Sequence, residues 1–206
     1  MSEPVSHAAV AEQFEDAAQQ HEAASLGTWT FLATEVLFFG GLFMAYITYR
    51  HAYPEAFAAG SRQINAAFGT VNTAILLTSS LTMALAVHAA REDRARSLVR
   101  CLSLTVFCAL GFMVVKGFEY HEDIVENLVP GPSFSTTLPA RAELFFFLYW
   151  AMTGLHALHV LVGMGLLTAL VLLARAGRFS PQYHTPVEMV GLYWAFGAGV
   201  WIVRCA

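Results

Sequence analysis

Residues 144–174 read LFFFLYWAMTGLHALHVLVGMGLLTALVLLA, 31 positions without an Asp, Glu, Lys or Arg. A helix crosses about 30 Å of hydrocarbon in roughly 20 residues, so this stretch spans a bilayer with turns to spare. Lipid offers bare backbone amides no hydrogen-bond partner, which restricts spanning structures to helices and closed barrels. Barrel strands alternate with period two over about 10 residues, and this run has neither feature. It fixes the fold class as all-α and membrane-embedded.

Four further runs flank it: 26–49 with Glu35 inside, 63–90, 101–115, and 185–203 with Glu188 near its start. The run at 101–115 is the shortest and reaches adequate length only if Lys116 lays its methylene stem along the helix and lifts its ammonium to the interface. The expected spans are therefore about 26–50, 64–90, 98–120, 142–174 and 185–204, preceded by a tail over 1–25. Composition agrees: 57% of the chain is hydrophobic and 13% charged, against about 25% charged in a soluble domain.

The first 25 residues hold no Lys or Arg, unlike the basic start of a cleaved signal peptide, so the first run is expected to stay as a membrane helix. The tail carries Glu12, Glu15, Asp16 and Glu22 among alanines and glutamines, and reads as a helix or a frayed arm without chemistry. Arg91, Arg94, Arg96 and Arg100 crowd the second connection, and Arg175 and Arg178 lie in the fourth. Basic residues concentrate on the cytoplasmic side, so the N-terminus is expected inside and the C-terminus outside. The third connection then faces outward, with Glu122, Asp123 and Glu126 ahead of a Val-Pro-Gly-Pro-Ser turn at 129–133.

Within hydrocarbon the ionisable residues are what require explanation. Glu35 lies about 13 Å along its helix among Leu37, Phe38 and Phe39, where a bare carboxylate is costly. It must be protonated, bonded to another helix, or reached by water, and no partner lies on its own face. Asn72 and Ser79 share a helix face seven residues apart, the pattern of polar groups that join helices. Lys116 and Glu119 are three apart and within pairing reach, with Tyr120 beside them. His156 and His159 are also three apart; without a third His or Cys motif they point to interhelical or headgroup hydrogen bonding rather than to a metal or haem. Gly191, Ala195 and Gly199 form a small-residue stripe that permits close helix approach. Cys101 and Cys108 lie about 10 Å apart on one face, too far for a disulfide, and read as small apolar filler. The chain lacks a phosphate loop, a dinucleotide fingerprint, a zinc-protease signature and a nucleophile elbow.

The chain resembles subunit III of haem-copper cytochrome oxidases. The resemblance is carried by Phe-Leu-Ala-Thr-Glu-Val-Leu-Phe-Phe at 31–39, Asn72-Thr73 ahead of Leu-Leu-Thr-Ser at 76–79, and Phe-Glu-Tyr at 118–120. The most specific match is Thr-Gly-Leu-His-Ala-Leu-His-Val-Leu-Val-Gly at 153–163, followed by Arg178, His184, Glu188 and Tyr193-Trp194. It implies the five-helix bacterial form, with two bundles around a V-shaped cleft filled with phospholipid. It further implies that the chain itself binds neither haem nor copper. Those cofactors belong to partner subunits, the chain packing on subunit I beside subunit II and cytochrome c. The family's buried, carbodiimide-reactive glutamate falls on Glu35, on the side where proton uptake begins. Asn72, Glu119, Tyr120, His156, His159, Glu188, Tyr193 and Trp194 fall on its lipid or interhelix polar contacts.

Where the family reads Tyr-Trp-His-Phe-Val-Asp, this chain has Tyr193-Trp194-Ala195-Phe196-Gly197-Ala198. That departure points to a divergent branch, such as oxidases associated with alternative complex III, or to the related accessory subunit of nitric oxide reductase. The expectation is a non-catalytic subunit of a proton-pumping oxidase in a bacterial plasma membrane, with no nucleic-acid partner. The rival of another class is an independent small-molecule or ion transporter, against which stands the lack of an obvious internal repeat.

Overall fold

The computed structural model describes residues 16–205 apart from 133, 135, 136, 140 and 180–182. Among these residues the chain forms α1 (Ala17–Ala52), α2 (Pro54–Ser61), α3 (Ala66–Arg91), α4 (Ala95–Val125), α5 (Ala142–Arg175) and α6 (Thr185–Cys205). All but α2 are long and apolar enough to cross a membrane, so the chain is an all-α, multi-pass membrane protein. Five crossings place the start of α1, the α3–α4 turn and the α5–α6 connection on one side, called here the N side. The α4–α5 connection and the end of α6 fall on the opposite, C side.

Two boundaries differ from the sequence expectation. α1 begins at Ala17, not near 26, because Asp16 accepts a hydrogen bond from the Gln19 amide at 2.7 Å and caps an alanine-rich stretch that holds no breaker. Most of the expected tail, residues 1–15, lies outside the described residues. α1 stops at Ala52 because Pro54 cannot continue the ladder; it opens α2 instead, where its missing N–H is tolerated.

α4 runs on to Val125, five residues past its expected end. Lys116 therefore lies more than two turns inside the helix and is 1% exposed. Its ammonium does not reach for the interface, because the protein interior supplies its partners.

α3 and α4 turn back on each other through Glu92–Arg94, with Asp93 in the left-handed region (φ 57°) and the Arg94 amide on the Ala89 carbonyl at 2.9 Å. α4 packs on α5, α5 on α6 and α6 on α3, closing a four-helix ring. Its core includes Leu76, Met83, Leu102, Phe112, Leu167 and Trp201. α1 lies outside the ring against α5, α6 and α2, with Leu37, Phe38, Met44 and Ile47 left exposed. A second core on the C side joins Phe57 of α2, Leu128 of the α4–α5 connection and Phe145 and Phe146 of α5.

The small-residue stripe of α6 is used only in part. A Cβ on Gly191 would lie 3.1 Å from Val87, so α3 approaches there, while Gly199 faces nothing within 4 Å. The tighter approach is at Gly163 of α5, where a Cβ would lie 2.9 Å from the Trp194 ring and 3.0 Å from that of Tyr193.

Candidate functional site

Tyr149, Thr153 and His156 recur on α5 at intervals of four and three, which stacks them on one helical face. All three are buried, and His159 continues the polar series one turn toward the N side. Partners for this series come from α1, α4 and α6.

At the N-side end of the series, His159 Nε2 lies 2.8 Å from Glu35 Oε2, so the partner that α1 itself does not offer arrives from α5. The approach does not have hydrogen-bond geometry, so the imidazole edge and the carboxyl meet as a close polar contact rather than an aligned hydrogen bond. The other ring nitrogen, Nδ1, is 2.9 Å from the Leu155 carbonyl oxygen. A carbonyl only accepts, so Nδ1 carries a hydrogen. Phe39 packs edge-on to the imidazole at 5.2 Å, and the Tyr193 ring stacks on it at 6.2 Å. The Tyr193 hydroxyl donates to the His159 carbonyl at 2.9 Å, fixing α6 to α5 at this level. A groove of about 610 Å³ opens beside the pair between α1, α5 and α6, its wall including Glu35, His159, Phe31, Leu158 and Val190.

At the other end, Lys116 Nζ donates to Glu119 Oε1 at 2.8 Å and lies 3.2 Å from the Tyr149 hydroxyl. Tyr149 in turn donates to the same carboxylate oxygen. The ammonium stands 4.8, 5.0 and 5.4 Å from the ring centres of Tyr120, Tyr149 and Trp201, an aromatic surround that favours a cation. Arg204 of α6 stacks over Tyr149 and Trp201, and Asp123 is buried one turn beyond Glu119. The expected Lys116–Glu119 pair therefore forms, but as the centre of a buried cluster rather than as an anchor at the membrane edge.

Between the two ends, Tyr120 donates to Thr153 at 2.8 Å and stacks on Trp150. His156 makes no hydrogen bond with the described chain; Phe112 and Trp201 pack on its ring at 5.6 and 5.2 Å. Trp194 donates to Ser79 at 3.0 Å and Trp201 to Thr73 at 3.1 Å, so hydroxyls of α3 do fasten α6. Asn72, 0% exposed, is not brought to a partner among the described residues. Glu188 belongs to a separate group on the N side, bound by Arg91 Nε at 2.7 Å and His184 at 3.2 Å.

Tyr149, Thr153, Asp123 and Arg204 were not singled out from sequence. The signal for the first two was present in their 3–4 residue spacing with His156. Among the described residues no group of three or more His, Cys, Asp and Glu stands where it would hold a metal ion.

These features define a multi-span helical membrane protein whose buried ionisable groups are largely taken up by one another and by tyrosines. The chain belongs to the cytochrome c oxidase subunit III family, which its sequence matches over residues 8–204. It is 32% identical over 185 residues to cytochrome c oxidase subunit 3 of Corynebacterium diphtheriae, covering 86% of this chain and 83% of that one. The corresponding protein of Thermostichus vulcanus is 31% identical over 190 residues, 91% and 88% of the two chains. A heme-copper oxidase subunit I+III of Aeropyrum pernix is 31% identical over 179 residues, which make up 84% of this chain and 21% of that protein.

Proposed function

We propose that the chain is the non-catalytic subunit III of a proton-pumping terminal oxidase that reduces O₂ with electrons from cytochrome c. It packs on subunit I, supports that subunit's durability and proton uptake, and holds phospholipid. The observation that carries this reading is the Glu35–His159 contact, 2.8 Å long, on the wall of an apolar groove within the membrane-crossing helices. A carboxyl paired in this way stays at low cost in a region otherwise hostile to charge, at a place a lipid or a proton reaches from the groove. Contact with subunit I is supported by the Aeropyrum pernix relative, whose name assigns I and III to one chain. Haem and copper reside in the partner subunits.

In this reading the groove is the lipid cleft. α1 and α2 form one arm of a V and α3–α6 the other, a reading supported by α1 making no helix contact with α3 or α4 among the described residues. The N side is cytoplasmic, in keeping with Arg91, Arg94, Arg96 and Arg100 at the α3–α4 turn. The membrane is the bacterial plasma membrane. Asn72, Glu119, Tyr120, His156, Glu188, Tyr193 and Trp194 serve packing between helices or toward lipid.

Two experiments test this function. Removal of the subunit from the purified complex leaves the haem absorption spectrum intact while activity decays during turnover; a complex that lacks it and holds full activity over many turnovers contradicts the role. Dicyclohexylcarbodiimide labels the wild-type chain at Glu35 and does not label Glu35→Ala, because the groove gives the reagent access to this carboxyl whereas Glu119 is 3% exposed. Undiminished labelling of the variant contradicts the assignment.

A further inference from the structure

The seam between α3 and α6 is closed toward the C side and open toward the N side. On the closed half Trp201 donates to Thr73 and Trp194 to Ser79, so indoles of α6 fill the space between the helices. From Ser80 to Arg91 a groove of about 310 Å³ takes the place of that contact. Small residues open it: Ala84 of α3 and Gly191 and Ala195 of α6 project at most a methyl group, and both alanines are exposed. Buried Met83 and Trp194 lie beneath them. The groove is distinct from the one beside Glu35, which uses Met189, Val190 and Tyr193 on a different flank of α6.

We propose that this groove binds one phospholipid of the N-side leaflet, an acyl chain lying between α3 and α6 and the phosphate meeting Arg91. Length supports this occupant. Ser80, Ala84, Val87 and Arg91 follow one another at intervals of three and four, a stripe that runs along α3. From Ser80 to Arg91 it covers about 16 Å at 1.5 Å per residue, and half of a hydrocarbon core about 30 Å thick is about 15 Å. The groove therefore reaches from the N-side interface to mid-depth, as one acyl chain does, and ends there because Trp194 closes the seam on Ser79. A partner helix crossing the whole bilayer would need a seam open along its whole length.

Charge supports it as well. Arg91 stands at the N-side mouth, where a headgroup lies, and Nε and Nη2 are both 2.7 Å from Glu188 Oε1. That pairing uses one edge of the guanidinium and fixes its position over the groove. The side chain is still 60% exposed, and a guanidinium has five donors, so its other edge is free to bind a phosphate by charge-assisted hydrogen bonds. His184, 3.2 Å from the same Glu188 oxygen, holds the carboxylate from within α6's own first turns. The site requires only that the chain cross a membrane, so it stands or falls separately from the oxidase assignment and from the groove beside Glu35.

The test is a cryo-EM map of the chain, in the assembly with which it purifies, reconstituted in nanodiscs of phosphatidylethanolamine and phosphatidylglycerol. Elongated density is expected along Val87, Ala84 and Ala195, ending in a headgroup within hydrogen-bond distance of Arg91. An empty groove, or a helix of a partner chain seated in it, overturns the site. Native mass spectrometry of the detergent-extracted assembly supplies a second measurement. Ala195→Phe, at an exposed position, fills the groove and is expected to retain one phospholipid fewer per chain than wild type, with carbodiimide labelling of Glu35 unchanged. Ala84→Phe fills it from α3 and is expected to do the same. Retention equal to wild type in both variants overturns the site. Arg91→Gln leaves the apolar groove in place and is expected to lower retention; retention equal to wild type overturns the phosphate contact.

Discussion

Lys116→Ala destabilises the chain by roughly 3–5 kcal/mol, the scale of breaking a buried ion pair from one side. Glu119 is left with a carboxylate in a nearly dry site and only the Tyr149 hydroxyl to bind it. Three aromatic rings lose the cation they surround. The pair itself need not contribute net stability, since desolvating both charges offsets most of their attraction. The double replacement Lys116→Met/Glu119→Leu is accordingly expected to recover most of the loss. Thermal unfolding of the purified assembly, followed by release of this subunit, measures both variants. An unchanged melting temperature in Lys116→Ala, or a double variant as unstable as the single one, contradicts the buried-pair account.

That cluster also shows where sequence reasoning reaches and where it stops. Lys116 and Glu119 are neighbours on one helix, so their pairing follows from a three-residue interval and was legible. Tyr149 reaches the same carboxylate from α5 and Arg204 of α6 stacks on the surrounding rings, and no interval within one helix encodes the register between helices. Glu35 is the same case. Its depth in hydrocarbon demanded a partner, yet His159 lies 124 positions away and meets it only because α1 docks against α5 and α6. The spans themselves were legible because lipid imposes a minimum apolar length on any crossing helix. α2 was not, being eight residues that begin with Pro54. Neither was the start of α1, because helix propensity continues into a polar, alanine-rich stretch after hydrophobicity has ended.

Ala198, which the resemblance sets against an Asp, lies with His156 on the wall of a cavity of about 20 Å³ between α1, α3, α5 and α6. A methyl there offers the imidazole no acceptor, in agreement with a ring that meets aromatic faces instead. Ala195, where the resemblance places His, lies one turn before Ala198 on α6 and is exposed in the wall of a groove that Arg91 and Glu188 also line. The two substitutions therefore have separate local settings, one facing the interior and one the surface.

Gly163→Val is a packing change with a large expected effect at the α5–α6 contact. Any Cβ at this position meets the Trp194 ring at 2.9 Å and the Tyr193 ring at 3.0 Å, and valine adds two methyl groups to that overlap. Overpacking of this kind costs typically about 1–3 kcal/mol. Here α6 is also held to its neighbours at this level by Trp194 on Ser79, at 3.0 Å, and Tyr193 on the His159 carbonyl, at 2.9 Å. Neither bond survives displacement of its ring, and each adds about 0.5–1.5 kcal/mol to the loss. Tyr193 also stacks on His159, so the groove-side surroundings of Glu35 change although residue 163 does not touch it. The variant is expected to lower the melting temperature and to alter the rate at which carbodiimide labels Glu35. Gly163→Ala should show the same two effects in smaller measure, and Trp194→Phe, with its narrower ring, should cost less in the Gly163→Ala background than in wild type. A double-mutant cycle over these positions that gives no coupling means that α5 and α6 do not approach each other through this glycine.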